Sequence, residues 1–340
     1  MVEMKPSKEQ TAVITSNEPY VTVISSAASG KTATLIERIR YLIHNGVDPS
    51  RIVAITFTNN AADEIRTRLG KDYNDEMFIG TIHSYANMLL IKQGISTAGS
   101  LRSNQFDELF EIMQMHPEAI EEVDHLLLDE AQDSNHAQFT FITDTIEPKS
   151  FTLFGDPRQS IYGFNGGKPE LLTRLSKQSD VASYDMTDNY RNGQQIIDYA
   201  NWILGKMKGA PTVDSKCMTG HPGSIEKIKN RDIPRIIKAS DSRFGDWVIL
   251  CRTNRKVDSI IYQLEAADIP AITFKQAANT NDILESKIKS NNVKVLTIHS
   301  SKGLEFPNVI VAEQRWRTEE DLRLMYVAAT RAKEQLYWGK

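Results

Sequence analysis

The segment Ser25–Thr32 has the residue types and the order that a phosphate-binding loop requires. It follows an apolar run and precedes an amphipathic pattern, which places it between a strand and a helix. In that setting backbone N–H groups and the helix N-terminus cradle phosphate, Lys31 reaches the outer phosphates and the Thr32 hydroxyl binds Mg²⁺. The general pattern has glycine where Ser25 stands, and an ordinary turn is the alternative, but the strand–loop–helix setting favours phosphate binding. The residues predicted to surround the phosphates are Ser25, Ser26, Ala27, Ala28, Ser29, Gly30, Lys31 and Thr32.

A pair of carboxylates, Asp129 and Glu130, follows the apolar run Leu126–Leu128. One carboxylate of such a pair can hold Mg²⁺ through water while its neighbour orients an attacking water. A solvated acidic turn is the alternative for an isolated pair. The leucines before it indicate a buried strand, and they favour a site for nucleotide hydrolysis.

Two arginines are candidates for neutralising the charge on a transferring phosphoryl group. Arg191 follows Asn189 and Tyr190, and Arg331 follows Thr330. Arginines in this role are worth ~10³–10⁵ in rate. In isolation, either arginine is more typical of a surface residue, and Tyr190 is more typical of a core than of a platform for adenine.

Side chains that suit single-stranded nucleic acid lie after several predicted strands. Stacking on bases requires exposed aromatic faces, and contacts to the backbone require hydroxyls, amides and a few cations. Gln159, a candidate phosphate sensor, lies a few residues before the aromatic residues Tyr162 and Phe164. A motor requires such proximity, because hydrolysis must be sensed where the nucleic acid is held. In isolation each candidate is more typical of a core residue or of a hydrogen-bonded polar group. The candidates are Phe57, Thr58, Asn59, Thr81, His83, Tyr162, Phe164, Thr297, His299 and Lys302.

Strand-like runs alternate with helical patterns in both halves of the chain, and this alternation predicts an α/β fold with parallel sheets. In the first half the predicted strands are Tyr20–Ser25, Arg51–Phe57, Phe78–His83, His125–Asp129 and Phe151–Gly155. In the second half they are Trp247–Cys251, Ala271–Phe274, Val293–His299, Asn308–Ala312 and Gln335–Trp338. The segment Gly205–Asp246 is rich in Gly, Pro and Lys, so we expect it to be irregular, with a short strand near Ile225–Ile228.

Length and composition set the outer limits. A chain of 340 residues is expected to form about two domains of ~150 residues, and we place their boundary near Ser183–Asn189, giving domains 1–186 and 187–340. The composition, 40% hydrophobic and 25% charged, is typical of globular proteins.

We expect no membrane span or signal peptide. Two cysteines indicate a reducing compartment, and a net charge of −4 means that any nucleic acid must be held in a local groove.

In their order along the chain, these motifs resemble those of the UvrD-like (UvrD/Rep/PcrA) DNA helicases of superfamily 1. The resemblance extends over nearly the whole chain. The matching segments are Ser7–Val13 with Gln10, Ser25–Thr32, Thr56–Asn59 with Ala61 and Ala62, Gly80–Ser84, Asp129–Asp133, Gly155–Phe164, Asn189–Arg191, Thr297–Phe306 and Tyr326–Ala332.

The resemblance implies two RecA-like P-loop NTPase domains with an ATP cleft between them. It assigns adenine to Gln10 and Tyr190, and Mg²⁺ to Thr32 and Asp129. The catalytic roles that it implies belong to Glu130 as base, Lys31 on the phosphates, Gln159 as the link from γ-phosphate to DNA, and Arg191 and Arg331 as a transition-state clamp. Glu305 is expected to touch the nucleotide sugar.

The activity implied by the resemblance is ATP-dependent 3′→5′ translocation on single-stranded DNA with strand separation, using ATP and Mg²⁺. The expected partners are single-stranded DNA, single-strand/duplex junctions, and replication or repair proteins. We expect a cytoplasmic monomer. Two alternatives stay open: an ATP-gated single-strand binding module with weak hydrolysis, and a helicase directed to RNA.

The chain also departs from the family pattern. Ser25 and Ala28 alter the phosphate loop, Ala33 replaces an Arg that commonly follows the Gly-Lys-Thr, and Asn60 and Asn165 replace usual basic residues. These changes motivate the weakly hydrolysing alternative, which the intact catalytic candidates oppose.

Two accessory insertions of the family are short or missing. The first interval, 85–124, has room for a short helical insertion, and the second is reduced to a loop at 277–292. This compactness is similar to that of helicases encoded by phages or mobile elements.

Overall fold

The computed structural model describes residues 5–102, 106–161, 163, 166–208, 215–273, 286–312 and 317–339. The chain divides into two compact units, Met1–Met186 (unit 1) and Thr187–Lys340 (unit 2). Within the described ranges, every helix is too short or too polar to cross a membrane.

Unit 1 is built on a six-stranded sheet in which every pair of neighbouring strands is parallel. Its strands are β1 Tyr20–Ser25, β2 Ile52–Thr56, β3 Phe78–Thr81, β4 His125–Leu128, β5 Ser150–Gly155 and β6 Ala182–Met186. Their order across the sheet is β3-β2-β4-β5-β1-β6. The carboxyl ends of β1, β2, β3, β4 and β5 therefore lie along one edge, where the phosphate loop and the paired carboxylates follow.

The helices of unit 1 cover both faces of this sheet. They are α1 Lys8–Ile14, α2 Lys31–His44, α3 Asn59–Leu69, α4 Ile82–Lys92, α5 Ala98–Arg102, α6 Glu108–Met115, α7 His136–Thr140 and α8 Pro169–Leu175, with a π-helical turn at Phe141–Thr145 after α7. One buried cluster joins α1, α2 and α3 to the sheet, and another joins α4 and α6 to it. Alternate strand residues enter the two clusters, as Val53 and Ala54 do, because successive strand side chains point to opposite faces.

Unit 2 contains a second six-stranded parallel sheet and a separate two-stranded ladder. Its strands are β7 Asp188–Asn189, β8 Lys216–Cys217, β9 Ser224–Ile228, β10 Trp247–Cys251, β11 Ala271–Ile272, β12 Val293–Thr297, β13 Phe306–Val311 and β14 Ala332–Gly339. The large sheet has the order β11-β12-β10-β13-β14-β9. The helices are α9 Gln194–Leu204, α10 Ile233–Ala239, α11 Asn254–Glu265 and α12 Glu319–Ala329, besides a short turn at 286–289.

The α/β prediction with parallel sheets is confirmed, but some strands end earlier than predicted. Thr58 caps α3 by accepting from the Ala61 N–H at 3.2 Å, and Thr81 and Ser84 form a capping box that starts α4. The chain turns into a helix at both points, so the predicted strands 51–57 and 78–83 end at Thr56 and Thr81.

The prediction that the segment 205–246 is irregular was wrong in part. It contains α10, whose buried Ile233 and Ile237 pack on the sheet of unit 2. The predicted strand end at Phe274 and most of the predicted 277–292 loop lie outside the described residues.

Candidate nucleotide-binding site

The phosphate loop joins β1 directly to α2. Gly30 precedes α2 with φ 82°, and Ala28 has φ 60°, so two residues of the loop have the left-handed backbone conformation. This conformation costs a residue with a side chain about 1–2 kcal/mol, whereas glycine adopts it freely. The unusual Ala28 therefore takes the backbone conformation of a glycine at a site where the loop is strained.

Three contacts hold the start of the loop within unit 1. The Ser25 hydroxyl donates to the Gly155 carbonyl at 3.0 Å, and the Ser26 N–H donates to the Met186 carbonyl at 2.8 Å. The Arg158 guanidinium donates to the Ser25 carbonyl at 2.7 Å. Since Ser25 is fully buried, its hydroxyl has a structural role on the neighbouring strand.

Gln10 contacts the loop from the side of α1. Its Oε1 accepts from the Ser7 N–H at 2.9 Å in a capping box, and its Nε2 donates to the Ser29 carbonyl at 3.1 Å. A Cβ at Gly30 would lie 2.7 Å from the same Nε2, so a side chain there would displace the Gln10 amide, and the φ of 82° also favours glycine. The side chain predicted to bind adenine is therefore hydrogen-bonded to the phosphate loop here.

A buried arginine that sequence reasoning missed holds α1 in place. Arg38 donates to the carbonyls of Val13 and Ile14 at 2.8 and 3.1 Å, and to the Thr152 hydroxyl at 2.8 Å. These bonds satisfy carbonyls at the end of α1 and fix the helix that carries Gln10.

Thr32 and Asp129 meet across the loop, as two ligands of one cation must. The Thr32 hydroxyl donates to Asp129 Oδ2 at 3.0 Å. Burial and the neighbouring Glu130 carboxylate raise the pKa of Asp129 to about 6, although Lys31 acts in the opposite direction. A nearby cation stabilises the ionised form of a buried carboxylate of this kind.

The donor set fits a magnesium nucleotide. A hydroxyl and a carboxylate are oxygen ligands of the kind Mg²⁺ prefers, and Lys31 lies at the start of α2 beside them. The Ser29 hydroxyl is buried and has no hydrogen-bond partner among the described residues, so the loop retains a buried group able to bind phosphate.

Glu130 has a strained backbone and a side chain held by an amide. Its φ is 54°, in the left-handed region. The Gln132 Nε2 donates to its carboxylate Oε2, and the Glu130 N–H donates to Asp129 Oδ1 at 2.9 Å. Strain of this kind persists only where the surroundings hold the residue.

The turn after β5 carries Gln159 and a buried ion pair that sequence reasoning did not identify. Arg158 and Asp156, 1% and 0% exposed, pair at 2.6 Å. The other oxygen of Asp156 accepts from Gln159 Nε2 at 2.7 Å. Asp156 therefore fixes both the candidate phosphate sensor and the arginine that reaches the phosphate loop.

The predicted nucleic-acid residues of unit 1 follow neighbouring strands. Thr56 and Thr81 are paired in register on β2 and β3, so the segment Phe57–Asn59 begins beside Thr81 and His83. Phe57 is 39% exposed, which suits stacking better than a core position. Tyr162 and Phe164 lie outside the described residues.

His83 has partners that sequence reasoning missed. Its Nε2 lies 2.9 Å from Asp107 Oδ1, and its ring stacks on Phe110 with centroids 5.2 Å apart. Asn135 Nδ2 donates to the second oxygen of Asp107 at 2.8 Å. The histidine is therefore held at the surface with its ring orientation fixed.

In unit 2 the candidate arginines are held by oxygen acceptors. Arg191 and Lys333 both pair with the Glu305 carboxylate. Burial raises the pKa of Glu305, but Arg191 and Lys333 outweigh it and lower that pKa below its ordinary value. Arg331 is buried and donates to the carbonyls of Val327 and Leu304 at 3.0 and 3.2 Å.

The remaining candidates of unit 2 lie near these groups along the chain. Tyr190, adjacent to Arg191, is 36% exposed. At the end of β12, the hydroxyls of Thr297 and Ser300 lie 2.8 Å apart, and the short helix His299–Ser301 precedes Lys302. Lys333 was not identified from the sequence, because its partner Glu305 lies far from it along the chain, just before β13, whereas Lys333 lies in β14.

The fold and the site together define a P-loop nucleotide-binding protein with parallel sheets. Residues 6–121 and 107–180 match the UvrD/REP helicase N-terminal domain, and residues 274–339 match the UvrD-like helicase C-terminal domain. The chain belongs to the family of UvrD-like helicases of superfamily 1, whose domains are RecA-like P-loop folds.

Individual relatives are similar over most of the chain. A protein named "Probable DNA helicase" from Mycoplasma pneumoniae is 25% identical over 97% of this chain and 82% of its own length. The ATP-dependent DNA helicase PcrA of Leuconostoc citreum is 24% identical over 78% of this chain, and the ATP-dependent DNA helicase UvrD1 of Mycobacterium tuberculosis is 23% identical over 83%. The matches span 49% and 51% of those two relatives, so the chain covers about half their length.

Proposed function

We propose that the chain hydrolyses ATP to move along single-stranded DNA in the 3′→5′ direction and to separate strands at junctions. The observation that carries this proposal is the Thr32–Asp129 hydrogen bond at the head of the phosphate loop, with the strained Glu130 next to it. The names of the relatives, ATP-dependent DNA helicases, support the choice of ATP and DNA.

The residues of unit 1 divide the chemistry among them. The loop N–H groups and Lys31 bind phosphate oxygens, while Thr32 and Asp129 hold Mg²⁺. The metal, when bound, neutralises charge on the outer phosphates. Glu130 orients the attacking water and accepts its proton, since it adjoins Asp129 and is held by Gln132.

We assign the adenine platform to Tyr190, with Gln10, and the sugar contact to Glu305. Arg191 and Arg331 neutralise charge on the transferring phosphoryl group. The partial exposure of Tyr190 and the preformed ion pair of Arg191 with Glu305 support these roles.

For DNA, we propose stacking on Phe57 and on Tyr162 and Phe164, and backbone contacts from the polar candidates at the strand ends. Those polar candidates are Thr58, Asn59, Thr81, His83, Thr297, His299 and Lys302. Gln159, tied to Asp156, then links the phosphates to the segment that carries the two aromatic residues.

We also propose a limited motor. The loop 277–292 is too short for the second accessory domain, so a monomer should translocate on single strands but separate long duplexes weakly unless partners assist. Replication or repair proteins are the proposed partners, and we propose a cytoplasmic location, which a DNA substrate supports.

The proposal predicts ATP hydrolysis that single-stranded DNA stimulates and that Glu130 supports. Glu130→Gln keeps the shape of the side chain and Mg²⁺ binding by Asp129, but it removes the carboxylate that orients water. Steady-state turnover should fall by about 10³-fold while ATP still binds. Turnover and nucleotide binding are measured separately, with DNA and RNA oligonucleotides as competing activators.

Glu147→Gln is the matched control, because Glu147 is an exposed glutamate with a similar backbone, φ 47°. It should retain full turnover. Polarity is tested by displacement of streptavidin from biotin at either end of a single strand. Displacement from the 3′ end alone, or stimulation by RNA alone, would contradict the assignment of 3′→5′ movement or of a DNA substrate, respectively.

A further inference from the structure

Gln132 is a fully buried side chain whose amide uses both ends. Its Nε2 donates to the Glu130 carboxylate and, at 3.3 Å, to Asp133 Oδ2. Its Oε1 accepts from the backbone N–H of Asp156 at 2.9 Å. One amide therefore joins the carboxylate assigned to catalysis to the turn that follows β5.

The packing around Gln132 fixes this arrangement. A Cβ at Gly155 would lie 2.7 Å from Gln132 Oε1, so glycine leaves the room that the amide needs. The Ser160 hydroxyl donates to the Gln132 carbonyl at 3.3 Å, which ties the far end of the same turn to Gln132. Because the Asp156 N–H can only donate, it orients the amide so that its NH₂ group faces Glu130.

The same turn contains the candidate phosphate sensor. Gln159 donates to Asp156 Oδ2 at 2.7 Å, and the Asp156 backbone donates to Gln132. The Gln132 side chain therefore connects this turn to the Glu130 carboxylate. Glu130 is sensitive to a shift of this turn, since its backbone is held in the left-handed region, φ 54°, only by its surroundings.

We propose that Gln132 is a positioning residue for hydrolysis. It holds the Glu130 carboxylate in place and makes its position depend on the Asp156–Ser160 turn, so that the catalytic base responds to the segment that carries Gln159. The inference rests on the proposed function, in which Glu130 orients the attacking water.

The test is Gln132→Met, which has a similar volume and lacks both the donor and the acceptor. The turnover number at saturating single-stranded DNA should fall about 10–100-fold, as it does when supporting hydrogen bonds of an active site are removed. The dissociation constant for ATP should stay within about threefold, because the hydrogen bonds of the Gln132 side chain go to Glu130, Asp133 and Asp156, which lie outside the phosphate loop. The ratio of turnover with DNA to turnover without DNA should also fall.

Two further variants separate positioning from folding. Gln132→Asn keeps a buried amide but is one methylene shorter, so it cannot reach Glu130 and Asp156 together, and it should show the same split between turnover and binding. Gln138→Met is the matched control: Gln138 caps α7 nearby through the Asn135 N–H at 3.1 Å, and its loss should leave turnover unchanged.

Wild-type turnover and stimulation in both Gln132 variants would overturn the inference. So would a parallel loss of turnover, ATP binding and thermal stability in both, which would indicate a structural role. Absence of stimulated turnover in the wild-type chain would instead reject the proposed function itself.

Discussion

In unit 1 the Asp129 and Glu130 carboxylates are held by hydroxyl and amide donors, whereas in unit 2 the Glu305 carboxylate is matched by two cations, Arg191 and Lys333. The pKa shifts follow this difference: burial and Glu130 raise the pKa of Asp129, while Arg191 and Lys333 lower that of Glu305. The acidic site of unit 1 thus retains unbalanced negative charge that a bound metal ion can neutralise. In unit 2 the single Glu305 carboxylate has two cationic partners, so this site has no excess negative charge, and the ion pair holds Arg191 in a defined position.

Two arginine–carboxylate pairs, one in each unit, also differ in burial. Arg158 and its partner Asp156 are 1% and 0% exposed, whereas Arg191 and Glu305 are 17% and 39% exposed. Removing one partner of a buried pair leaves an uncompensated buried charge, whereas an exposed pair contributes little to stability. We therefore expect Arg158 to contribute mainly to stability and Arg191 mainly to the reaction.

Substitution of the two arginines by methionine gives the largest expected effects. Arg158→Met should lower the free energy of unfolding by about 3–5 kcal/mol, because Asp156 stays buried without its cation. Arg191→Met should lower it by about 1 kcal/mol or less, but should reduce turnover by about 10³-fold. Urea unfolding and steady-state ATP hydrolysis are measured for both variants.

Lys333→Met is the matched control for Arg191, since it removes the other cation on Glu305 without removing the arginine. Its turnover should stay within about tenfold of the wild type. The comparison fails if Lys333→Met and Arg191→Met reduce turnover equally, or if Arg158→Met leaves stability unchanged.

Local pattern was enough to predict most of the fold. The strand bounds Tyr20–Ser25 and Trp247–Cys251 were predicted as observed, because such runs are buried on both faces of a parallel sheet and are apolar throughout. The strand β6 was missed, since its Ser183 and Asp185 are exposed and give no apolar run. The helix α10 was missed because the segment around it is rich in Gly, Pro and Lys.

Residues that act through distant contacts were beyond the reach of the sequence pattern. Arg158 reaches Ser25 across 133 positions, and Gln132 reaches Asp156 across 24 positions. The motifs that contain Gln132 and Arg158 were identified, but their hydrogen bonds depend on the order of strands in the sheet. The roles of the predicted site residues stay predictions, while the positions of all but Tyr162 and Phe164 are described.

Asp129→Asn tests whether the charge of unit 1 opposes folding. Because burial and Glu130 raise the pKa of Asp129 to about 6, the ionised side chain destabilises the folded chain at neutral pH. Without Mg²⁺ at pH 7, the variant should be more stable than the wild type by about 3 kcal/mol, on the scale of 1.36 kcal/mol per pKa unit, and it should lose ATP hydrolysis.

The sign of the pH dependence follows from the same shift. The folded-state pKa lies above the unfolded value of 3.8, so the destabilisation is fully present above about pH 6 and disappears as pH falls toward 4. The stability advantage of the variant, measured by urea unfolding, should shrink over that range, and Mg²⁺ should stabilise the wild type alone. An advantage independent of pH would show that Asp129 is not the group that titrates.

The smallest expected effect concerns the strained phosphate loop. Ala28 has φ 60°, a conformation that glycine adopts at no steric cost, so Ala28→Gly should relieve strain. The added freedom of the unfolded chain offsets part of the gain, and the free energy of unfolding should rise by about 0.5–1 kcal/mol. Ala27→Gly is the matched control, because Ala27 is buried and is not among the positive-φ residues of the described chain. This substitution should lower the free energy of unfolding by about 1 kcal/mol. If both substitutions destabilise the chain equally, Ala28 is not strained. Backbone strain in the phosphate loop would then not be a feature that distinguishes unit 1 from unit 2 with its preformed ion pairs.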